Sequence, residues 1–255
     1  MGKILNQKKM KKYITIIILF AAFVLLYACS MEKNDVAYDS AGEGSGGSMA
    51  RFTIVGDYLY TVDHWTLNSF DISNPAQPNY KSKISLGFGV ETISPFNGNL
   101  FIGTTHGMYI FDTKNPANPT ELSFFSHAYA CDPVVSDGKY AYITLSSNNT
   151  TCRRFVNELQ IIDIQDIQRP ELVKEFALEG PRGLTVRNDT LWICDNGLKV
   201  FDIKDKQNIE QIFHFPEVSA YDLILNKNLA LVIGETGFVQ YKLENDEIRK
   251  LSEIK

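Results

Sequence analysis

The sequence predicts an all-β fold, a β-propeller of about five four-stranded blades behind an N-terminal leader and a flexible tether. Three observations predict it. First, a phrase recurs: LNSFDISNPAQP from Leu67, MYIFDTKNPANP from Met108, LQIIDIQDIQRP from Leu159 and LKVFDIKDKQNI from Leu198, with a degenerate copy, FVQYKLENDEI, from Phe238. Second, its marker aspartates Asp71, Asp112, Asp163 and Asp202, with Tyr241 in the fifth place, are spaced 41, 51, 39 and 39 residues apart. Third, each period divides into four short apolar or alternating runs separated by turn residues, and no long helical pattern interrupts them. A small sheet of this kind cannot bury its faces alone, so the units must stack around an axis.

The leader comes first. Lys3, Lys8, Lys9, Lys11 and Lys12 form a basic region ahead of the apolar run Tyr13 to Tyr27, which leads into Ala28-Cys29. The run is short for a bilayer-spanning helix and suits a signal peptide. Leu26-Tyr27-Ala28-Cys29 resembles the lipobox of bacterial lipoproteins, which implies a signal peptide over residues 1–28 and diacylation of Cys29. An ordinary signal peptide or an uncleaved anchor is the alternative. Residues 29–49, rich in Gly and Ser after Ala41, read as the lipidated cysteine and its tether. Ser30 beside Cys29 favours the outer membrane by analogy with lipoprotein sorting, and Glu32-Lys33-Asn34-Asp35 loosely resembles a surface-export tether. Asp39-Ser40-Ala41 matches a bacterial O-glycosylation triplet, against an unmodified linker as the equal alternative.

Residues 50–255 are the repeat domain, long enough for one sizeable core. The first unit reads RFTIVG, YLYTV, LNSFDI and NYKSKISL; the second VETISPF, NLFIGTT, GMYIFDT and TELSFF; the third DPVVSD, KYAYITL, ELQIIDI and ELVKEFAL. The fourth reads GLTVRN, TLWIC, LKVFDI and IEQIFHF, and the fifth YDLILN, LALVIG, FVQYKL and EIRKLSEI. Gly107, Gly197 and Gly237 precede the third strands and suit tight turns of positive φ. Asn74-Pro75 and Asn115-Pro116 end third strands, because proline cannot donate to the ladder. The marker aspartates read as acceptors for nearby backbone N–H groups rather than as catalytic or Ca²⁺-binding carboxylates, since one acid per repeat is a structural rhythm.

The phrase [LM]-x-[IV]-[FI]-D-[IT], followed by proline, is similar to the LVIVD repeat, a family of exported bacterial proteins that includes cell-surface lipoproteins of the Bacteroidetes type. The resemblance implies a β-propeller from Ala50 to about Ile254, with no enzymatic activity attached to the repeat. Relatives often carry further repeats ahead of the stretch matching GSMARFTIV. Here the leader and tether run directly into it, so five blades either close alone or close poorly.

Candidate site residues lie where the loops entering the inner strands converge on one face. Arg51, Glu91, Asp132, Arg182 and Asp222 begin the five inner strands and form a charged ring at the channel mouth. Either they meet a ligand or they pair, as Arg51 with Glu91 or Arg182 with Asp132, and plug the channel. His64, Trp65, Phe88, His106, His127, Tyr129, Asp195 and Tyr221 map to the same face, either cradling a sugar or peptide or capping the blades. The histidines come from different blades without metal-ligand spacing, so neither metal nor cofactor is expected. The third unit carries an extra loop, roughly Ser146 to Asn157, whose Arg153-Arg154 could contact a partner. With Cys29 lipidated, Cys131, Cys152 and Cys194 remain; Cys131–Cys152 is the favoured disulfide and Cys152–Cys194 the alternative.

The formal charge is −5 for the whole chain and, because five lysines and no acids precede Cys29, near −10 after cleavage. So acidic a protein repels phosphates and is no candidate for nucleic acid. The expected function is binding of an envelope or extracellular protein or glycan by an exported module anchored to an outer membrane or cell surface. A propeller hydrolase or lyase using Glu91, Asp132 and Asp222 is one alternative, and a structural subunit of an envelope assembly is another.

Overall fold

The computed structural model describes residues 46–127, 133–147, 156–235, 237–244 and 247–254. Among them all regular secondary structure is strand. Blade 1 comprises β1 (Phe52–Val55), β2 (Tyr58–Val62), β3 (Thr66–Asp71) and β4 (Asn79–Ser85). Blade 2 comprises β5 (Val90–Phe96), β6 (Asn99–Thr104), β7 (Gly107–Asp112) and β8 (Thr120–Ser126). Blade 3 comprises β9 (Val134–Ser136), β10 (Tyr140–Leu145), β11 (Glu158–Asp163) and β12 (Glu171–Ala177). Blade 4 comprises β13 (Pro181–Arg187), β14 (Thr190–Asp195), β15 (Leu198–Asp202) and β16 (Glu210–Phe215). Blade 5 comprises β17 (Ala220–Asn226), β18 (Leu229–Gly234), β19 (Gly237–Glu244) and β20 (Glu247–Ile254).

Every blade is a four-stranded antiparallel meander in chain order. First strands pack on first strands, β1 on β5, β5 on β9, β9 on β13 and β13 on β17, which makes them the inner wall. The fold class read from the repeat is therefore the one observed.

The repeat phrase has a repeated geometry. A register shift interrupts the pairing of third and fourth strands between Ser69/Phe70, Ile110/Phe111, Ile161/Ile162, Val200/Phe201 and Gln240/Tyr241, the same repeat position in all five blades. Such a bulge bends the outer strand and increases its twist. The marker aspartate follows closely. Asp71, Asp112, Asp163 and Asp202 each accept the backbone N–H two residues on, from Ser73, Lys114, Gln165 and Lys204, at 2.5–3.0 Å. These are Asx turns, so the carboxylates hold the strand ends as expected. Leu229 pairs with Lys242 as Asn99 pairs with Asp112, so Lys242, and not Tyr241 as expected from the spacing, stands in the marker place of blade 5.

One glycine assignment differs from the expected one. Gly197 and Gly237 have φ of 113° and 136°. Gly107 lies outside the positive-φ region; a Cβ there would stand 2.2 Å from the Phe125 carbonyl oxygen, so close backbone approach makes glycine necessary.

The core consists of slabs between neighbouring blades. Ile93, Leu100, Ile102 and Phe111 of blade 2 meet Tyr60, Val62 and Leu67 of blade 1. Val134, Ala141, Ile143 and Ile162 of blade 3 meet Phe101, Met108 and Ile110 of blade 2. Leu184, Leu191, Ile193 and Phe201 of blade 4 meet Tyr142, Leu159 and Ile161 of blade 3. Leu223, Ala230, Val232 and Tyr241 of blade 5 meet Trp192, Leu198 and Val200 of blade 4. Each fully buried side chain of this size contributes about 1.5–3 kcal/mol.

The chain joins the fold before Ala50. Ser48 is 3% exposed. Its Oγ accepts the Leu184 N–H at 2.8 Å and donates to Asp222 Oδ1 at 3.2 Å. The Met49 N–H reaches Asp222 Oδ2 at 3.2 Å, and Ile93 N–H donates to the Ala50 carbonyl at 2.9 Å. Residues 46–49, read from sequence as the end of the tether, thus run across the channel mouth.

Candidate functional site

The loops that precede first strands and join second to third strands share one face. There the blade 3–4 connection (residues 178–180), the β14–β15 turn and the blade 4–5 connection (residues 216–219) frame an open cleft of about 560 Å³. Its walls include Glu179, Arg182, Cys194, Asn196, Glu217 and Ser219. The Arg182 guanidinium carbon stands 4.2 Å from the Tyr221 ring centroid, a cation–π contact that holds the charge beside the cleft.

Beneath it lies a polar lock. The Asp195 side chain is fully buried and the Lys199 side chain is 8% exposed, with Nζ 2.9 Å from Asp195 Oδ2 and 2.8 Å from Glu179 Oε1. Asp195 Oδ1 also accepts the backbone N–H groups of Glu179 and Gly180 at 3.0 and 2.6 Å. Asn196 Nδ2 donates to Glu179 Oε2 at 2.7 Å, and His214 Nε2 lies 2.9 Å from the Asn196 carbonyl. Burial pulls the Lys199 ammonium down, but its bonds to Glu179 and Asp195 outweigh this and leave its pKa above the ordinary value. The hydrogen bond from Lys199, with that from Asn196, holds Glu179 below the usual carboxylate range. The loop on the cleft's edge is therefore fixed from below.

Asp222 serves as an anchor at the channel mouth. Its carboxylate accepts from Met49, Ser48 and its neighbour Leu223. Burial pushes its pKa up, against the lowering effect of the Met49, Leu223 and Ser48 bonds. Cys194 is a buried free thiol, pushed well above its ordinary value by burial first and by Asp222 second. A thiol so protonated is a poor nucleophile.

A second feature of the same face is aromatic. Trp65 and Phe88 are 56% and 54% exposed, with ring centroids 5.0 Å apart. The turn beneath is hydrogen-bonded: Asp63 accepts the Trp65 and Thr66 N–H groups at 2.7 and 2.8 Å, and the Gly89 N–H bonds the His64 carbonyl at 3.0 Å. Gly87 and Gly89, at φ of 83° and 99°, flank Phe88.

Of the residues singled out in the sequence, the structure gathers Arg182, Tyr221 and Asp222 at the blade 4–5 boundary and places Asp195 under its rim. Arg51 is exposed and Glu91 is half-buried at the start of β5. His106 Nδ1 sits 2.8 Å from Thr105 Oγ1 in the β6–β7 turn. Tyr129, Asp132 and the pairing of Cys131 with Cys152 lie outside the described residues, as does Cys29. Sequence reading missed Ser48, Glu179 and Lys199. A signal for Lys199 existed: lysine stands in an otherwise apolar third strand, across a hairpin from an aspartate four residues earlier.

The LVIVD repeat family matches residues 46–85, the leading segment and blade 1. The resemblance read from the repeat phrase is thus shown for that stretch, and the other blades repeat its geometry. No curated protein matches the chain. Among solved structures the chain is similar to a protein from Lactobacillus plantarum, at 12% identity and a TM-score of 0.64 over 77% of this chain and 67% of that one. It is similar to a putative 6-phosphogluconolactonase from Bacteroides fragilis, at 12% identity and a TM-score of 0.62 over 80% and 69%. It also resembles a periplasmic gluconolactonase from Pseudomonas aeruginosa, at 11% identity and a TM-score of 0.60 over 78% and 67%. At these identities the likeness shows the fold alone, and the chain spans about two thirds of the length of each of these proteins.

Proposed function

We propose that this protein is an exported β-propeller, anchored by lipid at Cys29 to an outer membrane or cell surface, that acts as a non-catalytic binding module for a glycan or a polar protein segment. The observation that carries the reading is the cleft between blades 4 and 5, an open polar groove with Arg182 fixed over Tyr221 and its rim locked by Asp195 and Lys199. Fixed polar groups around a concave surface favour a ligand that makes directed hydrogen bonds. The exposed Trp65–Phe88 pair on the same face offers flat apolar area to a sugar ring or a side chain.

The lactonase names of two structural relatives raise a hydrolase as the rival. Nothing in this cleft favours it: its thiol is buried and protonated, and Asp222 is engaged in holding the leading segment. Nucleophilic chemistry needs a nucleophile within reach of a base that a third group orients.

The test is capture from a glycan array and from envelope extract by the full chain in detergent, beside Arg182→Ala and Cys29→Ala. The expected result is about tenfold weaker capture by Arg182→Ala, a loss typical of an arginine at the centre of a contact. Cys29→Ala should leave capture intact and release the protein from membranes. Capture untouched by Arg182→Ala removes the cleft from the reading, and membrane retention of Cys29→Ala removes the anchor.

A further inference from the structure

Five blades in a closed ring share five apolar slabs, whereas the described residues form four. The fifth junction, between blade 5 and blade 1, can be read position by position. The face that each blade turns toward its predecessor is built from equivalent sites. In blade 2 these are Ile93, Leu100, Ile102 and Phe111, all at most 1% exposed. In blade 1 the equivalent sites are Phe52, Leu59, Thr61 and Phe70, linked by the same pairings, Phe52 with Thr61 and Leu59 with Phe70. Here Phe52 is 59% exposed and the other three are only partly buried. The opposite face of blade 5 mirrors this: Leu231 and Phe238 are partly buried and Ile233 is 54% exposed, where blade 4 buries Trp192, Leu198 and Cys194.

The loops agree. The third-to-fourth-strand loop of a blade reaches back over its predecessor: the Pro116 and Ala117 carbonyls of blade 2 accept from Tyr60 and Ser69 of blade 1 at 3.0 and 2.8 Å. The Ile167 carbonyl of blade 3 accepts from Ser123 of blade 2 at 2.6 Å. The corresponding loop of blade 1, residues 73–78, is exposed throughout. NPANP and NPAQP are nearly the same phrase, yet Pro119 is buried and Pro78 exposed, because only the first has a blade beneath it.

We propose that the space between blades 5 and 1 is the seat of at least one further four-stranded blade of the same apolar pattern, supplied by polypeptide outside residues 46–255. Continuity with the four sealed junctions argues for this occupant: it must show blade 5 a row like Leu100, Ile102 and Phe111, and blade 1 a row like Phe101, Met108 and Ile110. About a third of each of the structurally similar proteins lies outside the match with this chain. A second copy of this chain fits poorly, since its other four blades would follow the same curvature into the ring. Across this opening the leading segment reaches blade 5 through Ser48 and Asp222.

The test uses the full chain and a full chain extended after Lys255 by a second copy of residues 86–178, blades 2 and 3, as the probe blades. Each carries Ile233→Cys, read by iodoacetamide labelling against the same chain without that substitution. The expected result is that Ile233→Cys labels freely in the parent and about tenfold more slowly in the extended chain, with a Tm several degrees higher. Equal labelling in both overturns the proposal. A disulfide that forms readily in a Leu59→Cys/Leu231→Cys parent shows that the ring closes on itself, which also overturns it. Protection of Ile233→Cys in the parent that rises with protein concentration, with a dimer in sedimentation, assigns the face to a second copy and overturns it equally.

Discussion

The junction between blades 3 and 4 and the one between blades 5 and 1 are built from the same repeat, yet they differ in kind. The first has an apolar slab of Leu159, Ile161, Leu184, Leu191 and Ile193, and above it the Asp195–Lys199–Glu179 lock on the connecting loop. The second has only its lock, Asp222 with Ser48 and Met49, and no slab among the described residues. A repeat therefore specifies two half-interfaces, and burial comes only from the neighbour that completes them. Stability in such an array is a sum of blade and junction terms, so the comparison can be broken one junction at a time.

The largest effect is expected at the lock of blade 4. Lys199→Met leaves the fully buried Asp195 carboxylate with backbone donors only, and breaking a buried pair in this way costs about 3–5 kcal/mol. Urea unfolding of the variant checks it. A loss below about 1 kcal/mol would mean that Lys199 contributes no more than a surface ion pair. Asp222→Ala, at the unsealed junction, should cost less, about 1–3 kcal/mol, because it strands Ser48 and the Met49 N–H without removing a buried cation.

Next come two leucines at one repeat position. Leu191→Ala opens a cavity in the sealed slab and should cost about 2–5 kcal/mol. Leu59→Ala removes the same group from the partly buried wall of blade 1 and should cost under about 1 kcal/mol. Equal losses in urea unfolding would mean that the fifth junction is sealed in solution by the chain itself.

These pairs also mark how much was legible in the sequence. Strand positions were, because alternation and turn residues act over a few neighbours, and the Asx role of Asp71, Asp112, Asp163 and Asp202 followed from its rhythm. The placement of Arg182 and Tyr221 on one face followed from blade topology. What could not be read depends on distant partners. Ser48 looks like tether until Asp222, 174 residues away, is beside it. NPAQP and NPANP look alike until one has a blade beneath it and the other has solvent. Gly107 looked like a positive-φ turn because the approaching Phe125 carbonyl comes from the fourth strand.

The smallest effect separates the two kinds of aspartate by sign. The Ser73 hydroxyl bond lowers Asp71, and the N–H groups of Lys114 and Lys204 lower Asp112 and Asp202. A lowered carboxylate contributes stability above its unfolded value, about 3.9, and loses it as pH falls through the folded one. Asp222 runs the other way: burial raises it, so its contribution is present below the unfolded value and is lost as pH rises through the folded one. Thermal unfolding between about pH 3 and pH 7 should therefore show a shallower acid decline when Asp71, Asp112 and Asp202 are changed together to Asn. In Asp222→Asn, Tm should instead gain more than the parent's as pH rises above about 4, since the opposing slope is gone. If both variants merely flatten the acid limb, Asp222 is an ordinary turn aspartate, and the leading segment is held at the channel mouth by Ser48 and Leu184 alone.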